Sequence, residues 1–178
     1  MQVAKVSSRG GVLVTRDEAA GGVKHVPPGE GEALWVFGEL QTYKLAGEDT
    51  GGAFTAFEMT AAPQSAPPPH IHHQADETFY VLEGTFELSA GDHTIEAATG
   101  AWVYVPRGTT HTWRNVGAEP ARMVVLFTPA GSEGYFKELG EPAVGESSPP
   151  PPPSGPPDVG RIVTVARKYG TEILPPPR

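Results

Sequence analysis

Short apolar or alternating runs, each cut by glycine, proline or aspartate, follow one another between residues 34 and 128. Several short runs separated by turn residues are typical of an all-β sandwich or barrel. The alternation places Phe57 and Met59 on one face of a strand and Glu58 on the other. We therefore predict an all-β barrel. Its strands are expected over residues 33–45, 53–62, 77–90, 93–97, 101–106, 111–116 and 121–128.

The composition narrows the classes of partner. At 178 residues the chain is long enough for one domain with a substantial core. Its formal net charge of -8, from 13 basic and 21 acidic side chains, argues against a nucleic-acid or anionic-membrane partner, because both require a basic face. The chain has no cysteine, so His, Asp and Glu are the residues left to ligate a metal. We expect a small-molecule partner.

The location of the protein is predicted from what its sequence lacks. The first ten residues contain no apolar stretch of the kind found in signal peptides. No later run approaches the roughly 18 apolar residues that a membrane-spanning helix needs. We expect a cytoplasmic protein.

The residues after the barrel predict two helices joined by a proline-rich linker. Residues 132–140 have a serine cap and a glycine stop. Five consecutive prolines beginning at Pro149 predict an extended polyproline II spacer. A last helix would begin at Asp158 and end at Gly170, and it should dock on the barrel exterior or on a partner subunit, because an isolated helix of this length is unstable in water. The chain then divides into an N-terminal arm (1–32), a barrel with its short helix (33–140), the linker (141–157) and a C-terminal helix and tail (158–178).

Three histidines and one glutamate are spaced as a metal site requires. In an extended strand alternate side chains share a face, so His70 and His72 point the same way. Glu77 is at odd spacing from both and converges with them if the polar segment 74–76 forms a turn or bulge. With His111 the set offers three imidazoles and one carboxylate to a divalent transition metal and leaves positions open. Burying four such groups without a metal would be costly.

The same residues belong to two longer patterns. Residues 70–84 read H-x-H-x4-E-x6-G, and residues 100–115 read G-x5-P-x-G-x2-H-x3-N. Together they resemble both conserved motifs of the cupin superfamily. The resemblance spans about residues 33–128 and implies a double-stranded β-helix barrel of the jelly-roll type, with ligands lining the inside of one end.

The resemblance assigns a role to each named position of the two motifs. The glycines and the proline would shape turns, and Asn115 would bond local backbone. One divalent transition metal per chain is implied, held by His70, His72, Glu77 and His111. Such a ligand set can hold iron, manganese, cobalt, nickel or copper, and zinc would fit a non-redox alternative.

Three further stretches, residues 67–73, 78–84 and 166–175, resemble the quercetin 2,3-dioxygenase-like single cupins. This resemblance implies a dioxygenase that uses O2 and acts on a flavonol or another enolisable aromatic or polyketide-like molecule. Glu77 would complete the metal shell and take the acidic hydroxyl proton of the substrate. A homodimer is implied by the resemblance alone. The substrate pocket is expected to include the inward residues Phe57, Met59, Phe79 and Val81, with Trp102, Tyr104 and Trp113 near its mouth.

Two other classes of function remain open on the sequence. A non-catalytic cupin could hold a small ligand in the same barrel, although a pure binder need not retain all four ligands. Another metal-dependent cupin enzyme, such as an isomerase or an oxidase, would use the same four ligands. A transcription regulator is disfavoured, because no helix-turn-helix segment lies outside the barrel and the net charge is negative.

Overall fold

The computed structural model describes residues 22–143 and 157–175. Within these residues the chain forms two β-sheets and two short helices. The strands are β1 (Glu32–Val36), β2 (Glu39–Leu45), β3 (Thr55–Ala61), β4 (His70–His72), β5 (Asp76–Glu83), β6 (Thr85–Ala90), β7 (His93–Ala98), β8 (Trp102–Val105), β9 (His111–Asn115), β10 (Ala121–Thr128), β11 (Glu141–Pro142) and β12 (Thr171–Ile173). The helices are α1 (Glu133–Leu139) and α2 (Val159–Lys168). The predicted spacer Pro149–Pro153 and residues 1–21 of the predicted arm lie outside the described residues.

The two sheets are antiparallel and share one apolar core. One has seven strands in the order β11-β1-β2-β3-β10-β5-β8, and the other has five in the order β12-β4-β9-β6-β7. Buried side chains from both sheets, such as Phe79 on β5 and Phe86 on β6, belong to the same cluster. The predicted all-β jelly-roll barrel is confirmed.

Strand alternation fills the interior of the barrel. Phe57 on β3 and Phe79 on β5 both lie opposite Val125 of the intervening strand β10, and all three are at most 2% exposed. Burying a large apolar side chain in this way contributes about 2 kcal/mol. The predicted inward face of β3, with Met59 beside Phe57, is therefore confirmed as core.

Two of the predicted strands are each divided by residues with positive φ. A turn at Phe37 and Gly38, with φ of 53° and 92°, separates β1 from β2. Gly84, with φ of 82°, separates β5 from β6. A Cβ at this glycine would lie 2.7 Å from the Cβ of Ala121, so both its backbone angle and its surroundings require glycine.

The C-terminal helix forms where the sequence predicts it. The Asp158 carboxylate accepts a hydrogen bond of 2.9 Å from the Arg161 amide, which is an N-cap bond. The serine cap predicted for α1 differs, since the Ser132 side chain makes no capping hydrogen bond. The helix α2 packs on α1 of the same chain, in a cluster that contains Tyr135 and Val165.

The chain after α2 adds a strand that the sequence does not predict. We expected a tail there, but β12 pairs with β4, with Thr171 opposite His72 and Ile173 opposite His70. A strand of three residues carries too little alternation to be recognised from sequence, and it forms because it covers an open sheet edge. Within the described ranges, 22–143 and 157–175, no helix has the length and apolar character needed to cross a membrane.

Candidate metal centre

The barrel brings the four predicted ligands together from both sheets. His70 and His72 lie on β4, and His111 lies directly opposite His70 on the neighbouring strand β9. Glu77 comes from β5 in the other sheet, after a bend at residues 73–75. One ligand atom from each residue lies within 4.8 Å of the others. The structure therefore holds three imidazoles and one carboxylate at one point.

Each histidine ring is held by its Nδ1 atom. The Nδ1 of His70 donates to the Pro68 carbonyl and that of His111 to the Thr109 carbonyl, both at 3.0 Å, because a carbonyl oxygen can only accept. The Nδ1 of His72 lies 3.0 Å from the Thr171 hydroxyl. A bonded Nδ1 leaves Nε2 as the ligating atom and fixes the orientation of the ring.

The contacts of Glu77 fit a site built for a cation. Its Oε2 lies 2.7 Å from Nε2 of His111 and 3.4 Å from Nε2 of His72. The Nε2 of His72 is buried and has no hydrogen-bond partner in the described part of the chain. A buried ring nitrogen without a partner is costly, and a divalent transition metal would satisfy it together with the other ligands.

Glu77 and His111 shift each other's pKa values in opposite directions. Burial alone would raise the pKa of Glu77, but the hydrogen bond from His111 and the proximity of the His72 imidazole hold it well below its usual range. Burial alone would lower the pKa of His111, but the bond to Glu77 raises it. These directions favour a protonated His111 that donates to the ionised Glu77, and a bound metal would displace that proton.

The loop before β9 is fastened to the start of β5. The Arg107 guanidinium forms two hydrogen bonds to the Asp76 carboxylate, at 2.9 and 3.1 Å, and holds the pKa of Asp76 at about 2. The Gly108 amide donates to the His72 carbonyl at 2.8 Å. These bonds join the segments that carry Glu77 and His111. Asp76 and Arg107 were not predicted from the sequence, although the presence of one charged residue inside each motif could have suggested the pair.

The second motif, residues 100–115, ends in Asn115, which is buried and has the structural role that was predicted. Asn115 donates from Nδ2 to the carbonyls of Ala61, Ala62 and Glu119, and its Oδ1 accepts from the Gly117 amide. The side chain is fully buried and closes the loops at the end of β9.

A cavity of about 370 Å³ opens beside the cluster. Its lining includes three of the four ligands, all except His111, and three of the predicted pocket residues, Phe57, Met59 and Trp113. Ile162 of α2 and Ile173 of β12 form another part of the wall. The C-terminal segment therefore covers the cavity.

The other predicted pocket residues lie elsewhere. Phe79 and Val81 are fully buried in the core and are not part of the lining. Trp102 and Tyr104 lie on the outer face, 65% and 61% exposed, because the alternation of β8 turns Val103 and Val105 inward instead. Of the three aromatic residues expected near the mouth, Trp113 lines the cavity and the other two do not, while residues of α2 and β12 contribute to the lining.

Three polar residues at the site were not predicted from the sequence. Thr171, which contacts His72, is brought there by β12. Glu39 and Gln41 line the cavity from β2. Their alternate spacing, with Tyr43 following on the same face, is the signal that could have placed them inside the barrel.

The fold and the site define a double-sheet β-barrel in which three histidines and one glutamate are positioned for metal binding. Comparison with known proteins agrees with this description of the fold. A family model described as a cupin domain matches residues 57–127. An uncharacterised protein of Aquifex aeolicus is 34% identical over 92 residues, which are 52% of this chain and 71% of that protein. The chain belongs to the cupin superfamily.

Two further similarities are more distant. A quercetin 2,3-dioxygenase of Bacillus subtilis is 29% identical over 121 residues, which are 68% of this chain. The match covers 36% of that enzyme, so the chain spans about a third of its length. A crystal structure of a predicted oxalate decarboxylase from Thermotoga maritima has a TM-score of 0.55 and 17% identity. The match covers 60% of this chain and 99% of the Thermotoga maritima chain. That structural similarity concerns the fold alone.

Proposed function

We propose that this protein is a metal-dependent dioxygenase of the quercetinase-like cupin type. Its substrate would be a flavonol or another enolisable aromatic or polyketide-like small molecule, and O2 its co-substrate. The observation that carries the proposal is the convergence of His70, His72, Glu77 and His111 beside a largely apolar cavity. The similarity to the Bacillus subtilis enzyme supports the choice of chemistry.

The four residues would hold one divalent transition metal, through three imidazole nitrogens and one carboxylate oxygen. Such a metal supplies a Lewis acid and, if it is redox-active, a route for electrons to O2. The hydrogen bonds at Nδ1 keep the three rings aimed at this point without further movement. Iron, manganese, cobalt, nickel and copper are the candidates.

Glu77 would act as the base. Its pKa is low, so the carboxylate is ionised at neutral pH and Oε2 can accept the proton of an acidic enol hydroxyl. Metal binding would engage the Nε2 of His111, which lies 2.7 Å from Oε2 of Glu77, and would leave the carboxylate free to accept that proton. In the overall reaction O2 oxidises the substrate, both oxygen atoms enter the ring-opened product, and carbon monoxide leaves.

The apolar walls would exclude water and position a flat ring system. Phe57, Met59 and Trp113 come from the barrel, and Ile162 and Ile173 from the C-terminal segment. A cavity of about 370 Å³ is within the range for small-molecule sites. Bulk water near the base would compete for the proton and weaken the electrostatic effect of the cluster.

The test is elemental analysis combined with oxygen uptake. We expect about one transition metal per chain in protein purified without added metal, and oxygen consumption with at least one member of a flavonol panel. The substitution His72→Ala should abolish both. His73→Ala is the matched control, because that histidine is half exposed and bonded to Glu172 on the surface. A folded native protein without metal would contradict the metal site, and metal-loaded protein that consumes no oxygen with any enol in the panel would contradict the dioxygenase and favour a binding role or a non-oxidative cupin enzyme.

A cytoplasmic location and a homodimer complete the proposal, and we expect no nucleic-acid or membrane partner. The net charge of -8 supports these last two expectations. The dimer is taken from the family resemblance, and size-exclusion chromatography with light scattering would measure it. A monomer at micromolar concentration would contradict it.

A further inference from the structure

Besides the metal ligands, the cavity is lined by a pair of polar side chains from β2. Glu39 and Gln41 point into it from alternate positions of β2, although their side chains are only 8% and 1% exposed. The mechanism proposed above uses neither residue. Polar groups buried this deeply normally have hydrogen-bond partners.

Among the described residues, each of these side chains has a hydrogen-bond partner for only one of its two terminal polar atoms. The Glu39 Oε1 atom accepts from the Ser65 hydroxyl at 2.9 Å, and Gln41 Oε1 accepts from the Tyr43 hydroxyl at 3.0 Å. Within the described ranges, no hydrogen bond is found for Glu39 Oε2 or Gln41 Nε2. One acceptor and one donor in an otherwise apolar wall match a hydroxyl group, which can donate and accept at once.

The pair lies at a distance from the histidine cluster. Ser65, the partner of Glu39, precedes His70 by five residues, and prolines 67–69 keep that segment extended. At about 3 Å per residue the separation along the chain is on the order of 15 Å. The Ser65 carbonyl accepts from the amide of Asn115, whereas His70 lies opposite His111, so the two groups mark opposite ends of β9.

We propose that Glu39 and Gln41 form a hydroxyl-recognition subsite at the end of the cavity away from the metal ligands. The ligand would be a flat molecule that carries metal-binding enol oxygens at one end and a phenolic hydroxyl at the other. This inference rests on the proposed function and names the substrate class more narrowly. The hydroxyl would donate to Glu39 Oε2 and accept from Gln41 Nε2.

The protonation state of Glu39 suits this role. Burial raises the pKa of Glu39 to about 7, against a smaller lowering by Ser65. Near neutral pH the protonated and ionised forms of Glu39 are therefore both populated, and the ionised form accepts the hydroxyl proton in a hydrogen bond at Oε2. A ligand lacking the hydroxyl would leave both protein groups unpaired, which penalises binding.

The test measures binding under nitrogen, with metal-loaded full-length protein. The ligands are 3-hydroxyflavone and its two derivatives with one additional hydroxyl, 3,7-dihydroxyflavone and 3,4′-dihydroxyflavone. These two place the additional group at opposite ends of the ring system, so either binding orientation is covered. We expect at least one derivative to bind about tenfold or more tightly than 3-hydroxyflavone.

The double substitution Glu39→Met with Gln41→Met should remove this preference, so that the three ligands bind the variant with similar affinity. Equal affinities of the wild type for all three ligands, binding of none of them, or a preference that survives in the double variant would overturn the inference. The wild-type comparison decides the matter even if the variant does not fold. Oxygen uptake without hydroxyl preference refutes the subsite alone, whereas preference without oxygen uptake refutes the dioxygenase alone.

Discussion

At the residue scale, His72 depends on a hydroxyl group 99 positions further along the chain. Its Nδ1 lies 3.0 Å from Thr171 Oγ1, and a bond in which Nδ1 donates to this oxygen leaves a lone pair on Nε2 for the metal. The other two histidines use backbone carbonyls for this purpose, which no side-chain substitution can remove. Of the three groups that orient the imidazoles, Thr171 is therefore the one that a side-chain substitution can remove.

We predict that Thr171→Val weakens metal affinity about 10- to 100-fold, because it removes the hydroxyl and keeps the side-chain shape. Chelator competition titrations measure this. Thr171→Ser should restore most of the affinity. Unchanged affinity in the valine variant, with the metal-free protein as stable as wild type, would show that the hydroxyl does not position His72.

Glu39→Gln should change how stability depends on pH. The folded-state pKa of Glu39 is raised from 4.5 to about 7. The contribution of this residue to wild-type stability is therefore fully present below pH 4.5 and is lost as the pH rises through 7. The neutral amide does not titrate. Relative to wild type, the variant should gain up to about 3 kcal/mol in unfolding free energy between pH 4 and pH 8. Denaturant titrations of metal-free protein measure this, and a difference independent of pH would refute it.

At the element scale, a glycine divides two strands where the sequence suggests one. Gly84 adopts φ of 82° and lies against Ala121 in the β10 strand, whereas Gly100 adopts φ of 89° with no atom within 4 Å of a built Cβ. The two positions thus share the backbone cost of a left-handed residue and differ in steric surroundings.

We predict that Gly100→Ala costs about 1 kcal/mol, from its backbone conformation alone. Gly84→Ala should cost at least about 2 kcal/mol, because the new methyl group also collides with Ala121. Chemical denaturation of both variants gives the comparison. Equal losses would mean that the barrel accommodates the methyl group at Gly84 without strain.

The sequence predicts elements well where local pattern decides them. Alternation located the inward face of β3, and the Asp158 cap located the start of α2. The strand β12 was not predictable, because three residues form it only through pairing with β4. The same holds for the serine cap of α1, whose absence depends on the local backbone rather than on residue type.

At the scale of the whole molecule, the ligand set was predictable and the cavity only in part. The two motifs fix the spacing of four ligands in one barrel, and the structure brings them within 4.8 Å. The cavity walls depend on where α2 and β12 dock, which is a long-range contact that local sequence does not encode. For this reason Trp102 and Tyr104 were expected in the lining, to which Ile162 contributes instead.

Metal binding should stabilise the entire fold, because its ligands come from both sheets. At a free metal concentration of 1,000 times Kd the gain is about 4 kcal/mol, and thermal denaturation should shift upward accordingly. Adding a chelator reverses the shift. His72→Ala should show neither change, while His73→Ala should behave as wild type; an equal shift in both variants would place the stabilising metal elsewhere.

The pairing of β12 with β4 also has a consequence for biosynthesis. A nascent chain that has left the ribosome only as far as β10 already carries all four ligands, yet it lacks Thr171 and the C-terminal wall of the cavity. Such an intermediate would capture a metal with one loosely held imidazole and with the centre open to water. The hydroxyl that orients His72 and the C-terminal wall thus reach the centre only when synthesis is complete, so a metal captured earlier would be held more weakly than in the finished barrel.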